Sequence, residues 1–112
     1  MYVPDWHLFR SCRRLAVVFG IFDALALSSL RYGVVTPTCG DQSFDPAWID
    51  CHKSIRIFPD FGAEEDAYKL AEKLGWRAKV VCLPYPVGMK DCADYLEHGK
   101  RDELNKLLAK EL

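Results

Sequence analysis

The sequence predicts an α/β fold, in which about four mainly parallel strands form one sheet with helices on both faces. Short β-rich apolar segments alternate with segments of helical periodicity along the 112 residues. This order is typical of βαβ units joined by right-handed crossovers. The chain length fits one domain, and its apolar residues, 50% of the total, are enough for a core without disulfides or a structural metal. We therefore expect a single compact domain.

The first predicted βα unit begins with a buried strand over residues 15–19, because this run is short, apolar and β-rich. Gly20 ends the strand. A helix follows over residues 21–32, with Asp23 in its first turn, where the helix dipole favours an anion. Gly33 is expected to cap the end of this helix. The helical spacing predicts a buried face made of Phe22, Leu25, Ala26 and Leu30.

The later elements follow from the same kinds of pattern. Asp45 and Pro46 suit the N-cap and first position of a short helix, and Glu64, Glu65 and Asp66 suit the first turn of a longer one. Further strands are predicted over residues 34–36, 55–58 and 77–83, and helices over residues 45–51, 63–74, 91–97 and 100–112.

Three parts of the chain are expected to form this domain. Residues 1–14 are a basic and aromatic N-terminal segment, residues 15–99 hold the predicted sheet, and residues 100–112 are an amphipathic helix packed on the same domain. No repeat or linker separates them.

Charge, hydropathy and cysteine count exclude several classes of protein. The 15 Lys and Arg residues nearly balance the 16 Asp and Glu residues, so any nucleic-acid surface must be a local patch. No apolar run approaches the roughly 20 residues of a membrane helix, and the first residues lack the order of a signal peptide. Five cysteines without a C-x-x-C pair argue against a disulfide framework or a zinc ribbon. We expect an intracellular, cytoplasmic protein without a membrane partner.

Three segments contain or follow the carboxyl ends of predicted strands. In a parallel sheet, the loops and functional residues lie at these ends. They read VVFGIFDALAL, IRIFPDFGAEEDAYKLAEKLG and LPYPVGMKDCADYL. Together they resemble the Toprim domain of primases and topoisomerases, and most closely its primase and phage primase-helicase branch. The resemblance extends from about Leu15 to Gly99 and implies a Rossmann-like sheet.

The resemblance places aromatic residues at acidic positions of the family. The family motif E-G-x-x-D-A-L is similar to residues 19–25, where Phe19 stands at the glutamate. In the family motif D-x-D-x-A-G, a gapless alignment places Phe58 and Asp60 at the two aspartates, whereas a two-residue deletion places Asp60 and Gly62 there. The gapless version keeps the following helix in register. Residues 36–40 resemble a middle motif, and residues 90–96 resemble the ending K-D-x-N-D-Y-L.

In the family, the glutamate acts on protons and the aspartates hold Mg²⁺ for phosphoryl transfer. Phenylalanine offers neither a proton nor a metal ligand. The resemblance therefore implies a degenerate catalytic site, in which Phe19 and Phe58 lie at neighbouring strand ends and pack together. Asp23 and Asp60 are the residual acids. Asp60, helped by Asp91 or Asp23, is the candidate magnesium ligand, although a single carboxylate is a poor magnesium site.

Nucleic-acid contacts are predicted at two places. Lys90 lies beside a glycine-containing loop and a helix start, where backbone N–H groups favour phosphate. Arg10, Arg13 and Arg14 stand near Trp6 and Phe9, and cations with aromatics suit a single strand. The alternative for this segment is a helix that packs its aromatics on the sheet and leaves the arginines in water.

These observations predict a stand-alone Toprim-like, DNA primase-related protein of replication or repair. It would be catalytically degenerate, would need no cofactor, and would bind single-stranded DNA or RNA or a replication or repair protein. The alternative is an active Mg²⁺-dependent phosphoryl-transfer enzyme, primase-like or nuclease-like, with a rearranged acidic site.

Overall fold

The computed structural model describes residues 1–37, 44–52 and 54–112. Within these ranges the chain is α/β, with a four-stranded, all-parallel sheet. The strands are β1 (Leu15–Val18), β2 (Val34–Val35), β3 (Ile55–Phe58) and β4 (Ala78–Val80). The α-helices are α1 (Trp6–Ser11), α2 (Ile21–Ser29), α3 (Glu64–Leu74), α4 (Cys92–Glu97) and α5 (Arg101–Ala109), with 3₁₀ turns at Pro46–Ile49 and Gly75–Arg77.

The strand order, β2-β1-β3-β4, changes direction in the middle of the sheet. From β1 the chain continues to β2 on one side, and it then crosses back to place β3 on the other side of β1. At this junction Val18 of β1 lies beside Phe58 of β3. A change of direction of this kind opens a crevice at the carboxyl ends of the two central strands, where open α/β sheets bind their ligands.

Helices cover both faces of the sheet, as expected. On the α3 face, the side chains of Val17 and Ile57 pack with α1, α3 and the Pro46–Ile49 turn. On the α2 face, those of Val18 and Phe58 pack with α2, α4 and α5. The alternation along each strand follows from the two-residue period of β-structure. The N-terminal segment and the last helix both contribute core residues, Phe9 from α1 and Leu104 and Leu108 from α5.

Among the described residues, no helix combines the length and apolarity needed to cross a membrane.

The predicted short helix after Asp45 is confirmed as the Pro46–Ile49 turn, and the Asp45 side chain accepts a hydrogen bond from the Ala47 N–H at 2.9 Å.

The buried face of α2 agrees only in part with the apolar residues at helical spacing. Ala26 is buried and Leu30 packs partly on the core, whereas Phe22 is 79% exposed and Leu25 is also exposed. Asp23, Ala24 and Leu27 are buried as well. The apolar residues of this helix occupy two sides, so their spacing alone does not select the side that packs. The tight turn after β1 sets that side, and it brings a carboxylate toward the sheet edge.

Gly33 is not the cap of α2, which is a further correction. The helix ends at Ser29 with Leu30 as its C-cap, and Arg31 takes the left-handed conformation, with φ of 70°. Gly33 instead lies where α1 approaches the start of β2. A Cβ at this position would stand 2.6 Å from Cys12 Sγ and 2.7 Å from the Leu8 carbonyl oxygen.

We expect Gly33→Ala to lower the free energy of unfolding by about 1–3 kcal/mol, since the added methyl group forces backbone shifts in a close contact. Urea denaturation measures this change. Unaltered stability would mean that α1 and β2 do not approach each other this closely.

Candidate functional site

Three aspartates from distant parts of the chain meet at the carboxyl end of the sheet. Asp23 lies in the first turn of α2, Asp60 lies two residues beyond β3, and Asp91 immediately precedes α4. One oxygen of each carboxylate lies within 4.8 Å of the oxygens of the other two. We call these residues the acid cluster. It occupies the crevice at the carboxyl ends of β1 and β3.

Backbone contacts hold the acid cluster in place. Asp23, only 4% exposed, accepts a hydrogen bond at 2.9 Å from the backbone N–H of Ala93 in α4. Asp91 is the N-cap of α4 and accepts from the Asp94 N–H, also at 2.9 Å. The approach of Asp23 depends on Gly20, because a Cβ at Gly20 would lie 3.2 Å from Asp23 Oδ2. The glycine before this helix therefore makes room for the carboxylate.

The proximity of like charges makes the acid cluster unstable when all three carboxylates are ionised. Burial, together with the charges of Asp60 and Asp91, raises the pKa of Asp23 to about 7 against the opposing hydrogen bond from Ala93. The pKa of Asp60 is also raised, mainly by burial and by the charge of Asp91. Protonated Asp23 donates a hydrogen bond to Asp60. Near neutral pH the acid cluster favours a bound proton or another cation.

The donor atoms of the acid cluster suit a hard divalent cation. Mg²⁺ and Mn²⁺ are bound through carboxylate oxygens, and Mg²⁺ usually keeps several waters or phosphate oxygens as further ligands. The buried thiol of Cys92, whose pKa burial raises to about 12, does not belong to this group of oxygen donors. The three residues therefore fit the metal that the family resemblance implies. They are the same three acids that the sequence analysis named, Asp60 with Asp91 and Asp23 as its helpers.

Phe19 and Phe58 do not pack together, contrary to the expectation. Phe58 is the last residue of β3 and belongs to the core on the α2 face, whereas Phe19, directly after β1, packs on the α3 face. Val18 is the residue beside Phe58, so the next residue along the chain points to the other face. Phe19 also points away from the face on which Asp23 is buried.

The predicted phosphate contacts lie at opposite ends of the strands. Lys90 is exposed beside the acid cluster, and its charge partly offsets the raised pKa of Asp60. Arg13 and Arg14 precede β1 and lie at its amino end, where Arg14 donates a hydrogen bond to the Glu111 carbonyl oxygen at 3.0 Å. Arg10 lies on α1 over the Trp6 ring. Of these four residues, only Lys90 accompanies the acid cluster.

The middle motif of the resemblance is only partly described. Thr36 is fully buried and forms an antiparallel bridge with Tyr2. Thr38, Cys39 and Gly40 lie outside the described residues.

Gly62 has φ of +90° and is exposed, and its backbone N–H donates to Glu64 Oε1 at 3.1 Å. Gly62 serves the turn into α3.

Two aromatic residues beside the acid cluster were missed by the sequence analysis. Tyr85 is half-buried and its hydroxyl donates to the Pro59 carbonyl oxygen at 3.3 Å. Phe61, next to Asp60, is 71% exposed. Phe61 could have been identified from the sequence, because it directly follows Asp60, a predicted site residue. Tyr85 could not, because it lies in a turn-rich segment without a distinguishing pattern.

No protein-family model, curated protein or solved structure matches this chain. Its function is therefore inferred from its own residues and from their arrangement.

Proposed function

We propose that this chain is a Toprim-like protein of nucleic-acid metabolism that binds single-stranded DNA or RNA through a divalent metal ion. Asp23, Asp60 and Asp91 hold the metal, and Lys90 contributes a second positive charge toward phosphate. The protein binds its ligand without cleaving or extending it.

The convergence of the acid cluster carries this proposal. Each carboxylate comes from a different element, and all three lie within 4.8 Å of one another at the crevice where the sheet changes direction. Asp23 is buried as well, and an ionised carboxylate that is buried beside two others is unfavourable unless it binds a proton or another cation.

The residues around the acid cluster favour binding of phosphate. A bound Mg²⁺ would neutralise the carboxylates and offer a Lewis-acid contact to phosphate oxygens. Lys90 is an exposed ammonium beside Asp60, placed to attract the same phosphate from solvent. The motifs that contain the acids support the Toprim part of the proposal. Asp23 lies in the segment similar to E-G-x-x-D-A-L, and Asp91 lies in the segment similar to K-D-x-N-D-Y-L.

The position of Phe19 supports binding rather than turnover. The resemblance assigns the proton-transferring glutamate to this position, and here a phenylalanine packs on the α3 face. An apolar side chain transfers no proton.

The first test is a calorimetric titration of the purified protein with Mn²⁺ and Mg²⁺. We expect the wild-type protein to bind Mn²⁺ and Asp60→Asn to bind it at least ten-fold more weakly, about 1.4 kcal/mol, because one anionic ligand is lost. Asp66→Asn is the matched control, since Asp66 is an exposed acid in the first turn of α3 outside the acid cluster.

Anisotropy of a labelled single-stranded oligonucleotide completes this test. We expect binding in Mn²⁺ and at least ten-fold weaker binding in EDTA. Two results would contradict the proposal. One is equal Mn²⁺ affinity of Asp60→Asn and the wild-type protein, and the other is oligonucleotide affinity that is the same in EDTA as in Mn²⁺.

One observation favours an active enzyme as the second candidate. A carboxyl group with a pKa of about 7, as at Asp23, matches the requirement for a general acid or base at neutral pH. On this alternative, Asp23 replaces the family glutamate in Mg²⁺-dependent phosphoryl transfer. Incubation of a labelled strand with Mg²⁺ distinguishes the two: products that disappear in Asp23→Asn support the enzyme, and an intact strand supports the binding protein.

A further inference from the structure

A cavity of about 620 Å³ opens beside the acid cluster, within the size range of small-molecule sites. It lies between the loop after β3 and the turn that leads from β4 to α4. The residues that matter for its chemistry are Phe61, Tyr85, Val87, Met89, Lys90 and Asp94.

Hydrogen bonds fix the walls of this cavity relative to one another. The Phe61 N–H donates to the Lys90 carbonyl oxygen at 2.6 Å, which joins the two loops. The Met89 N–H donates to the Pro86 carbonyl oxygen at 2.9 Å, closing a turn in which Gly88 has φ of +90°. A side chain other than glycine rarely adopts this conformation. The cavity is therefore preformed, and a ligand pays little to order it.

The lining combines aromatic and apolar surface with the cationic side chain of Lys90. Phe61 is 71% exposed and Val87 is fully exposed, so apolar surface remains in water until a ligand covers it. Asp94 is engaged, since its Oδ2 accepts a hydrogen bond from the Lys90 N–H at 2.8 Å. Lys90 lines this cavity, and its positive charge also lowers the pKa of the neighbouring Asp60.

We propose that this cavity is a subsite for an unpaired nucleobase of a single strand, stacked on Phe61 while the adjacent phosphate lies at Lys90 and the acid cluster. This inference rests on the proposed function and adds the part of the ligand that the acid cluster does not contact. A planar heteroaromatic ring matches the aromatic and apolar lining, and the negative phosphate matches Lys90. The exposure of Phe61 and Val87 leaves the cavity open, so a base can enter while it remains joined to its chain.

The test compares three probes in Mn²⁺ by calorimetry: pentathymidylate, an abasic pentamer of the same backbone, and thymidine monophosphate. Wild-type protein is expected to bind pentathymidylate more tightly than either of the others. Phe61→Ala is expected to weaken pentathymidylate binding about 5- to 150-fold, the range for loss of one stacked base, and to leave the weaker abasic binding unchanged. Tyr68→Ala, which removes an exposed aromatic of α3 outside the cavity, is expected to change neither.

Unchanged pentathymidylate affinity in Phe61→Ala overturns the subsite, and so do three further outcomes. Equal affinity of wild-type protein for pentathymidylate and the abasic pentamer excludes base recognition, and equal affinity for the monophosphate excludes the strand. If Tyr68→Ala lowers pentathymidylate affinity as much as Phe61→Ala does, the effect is a general apolar contact and not stacking on Phe61. The wild-type Mn²⁺ titration separates the two proposals: if it shows no metal binding while pentathymidylate still binds through Phe61, the metal function fails and the base subsite stands.

Discussion

Replacing Phe58 by aspartate is expected to unfold the protein at neutral pH. The gapless family alignment assigns an aspartate to this position, so the substitution restores the family residue. In this chain, however, Phe58 is 1% exposed at the end of β3, among the apolar side chains of the α2 face. The change removes a large buried ring, which costs about 3–5 kcal/mol, and it adds the desolvation of a carboxylate. The sum is comparable to the whole stability of a small domain, about 5–15 kcal/mol.

Circular dichroism and urea denaturation measure this result. Phe58→Leu is the control, because it keeps an apolar side chain and is expected to cost no more than about 2 kcal/mol. A folded Phe58→Asp protein with tighter Mn²⁺ binding than wild type would contradict the expectation. It would mean that the crevice accepts a fourth carboxylate and that Phe58 occupies a ligand position rather than a core position.

The alternation of strands and helices was predictable because it depends on local patterns. The buried strands at residues 15–18 and 55–58 are short apolar runs, and Gly75 ends α3 as expected. The fourth strand is shorter than predicted, ending at Val80 rather than at residue 83. Its apolar run continues beyond the last partner residue of β3, Ile57. Strand length depends on the neighbouring strand as well as on composition.

The orientation of side chains was less predictable than the elements that carry them. Phe19 and Phe58 both stand at strand ends, which suggested a contact. A one-residue offset in register, with Val18 beside Phe58, sends them to opposite faces. Likewise, Phe22 and Leu25 have helical spacing but remain exposed, because α2 presents a different side to the sheet.

The acid cluster was only partly predictable for a different reason. Asp23 and Asp60 follow strands that are neighbours in the sheet, so their proximity could be anticipated from the parallel arrangement. Asp91 joins them because α4 returns to the same edge and its Ala93 N–H binds Asp23, 70 residues away in the chain. No local pattern encodes a contact of this range.

Asp23→Asn is expected to stabilise the metal-free protein at alkaline pH. Burial and the neighbouring carboxylates raise the pKa of Asp23 to about 7, whereas the unfolded chain has an ordinary aspartate near 3.9. The folded state therefore binds this proton more tightly than the unfolded state does. Below about pH 4 the group is protonated in both states and destabilises neither. Between about pH 4 and 7 it ionises first in the unfolded chain, so stability falls as pH rises, and above pH 7 the full loss remains.

Three pKa units correspond to about 4 kcal/mol. Asparagine resembles protonated aspartate, because its oxygen can accept from the Ala93 N–H and its amide can donate to Asp60. In EDTA, the difference in unfolding free energy between variant and wild type is expected to be about 1 kcal/mol at pH 4.5 and to reach about 4 kcal/mol at pH 8. The matched control, Asp66→Asn, loses only a helix-dipole contact, so we expect a change below about 1 kcal/mol at both pH values.

Mn²⁺ is expected to reduce this difference at pH 8. A cation that binds only the folded state stabilises it by about 2.7 kcal/mol at 100 times its dissociation constant, and the wild-type acid cluster binds Mn²⁺ more tightly than the Asp23→Asn variant does. Urea denaturation at pH 8 is therefore expected to show a smaller stability advantage of Asp23→Asn in Mn²⁺ than in EDTA. If Asp23→Asn destabilises the protein equally at both pH values and in both solutions, Asp23 is a structural hydrogen-bond acceptor, and the electrostatic argument for a cation fails. If the advantage of the variant shrinks in Mn²⁺, the buried carboxylate is an unfavourable group that the fold keeps for its metal.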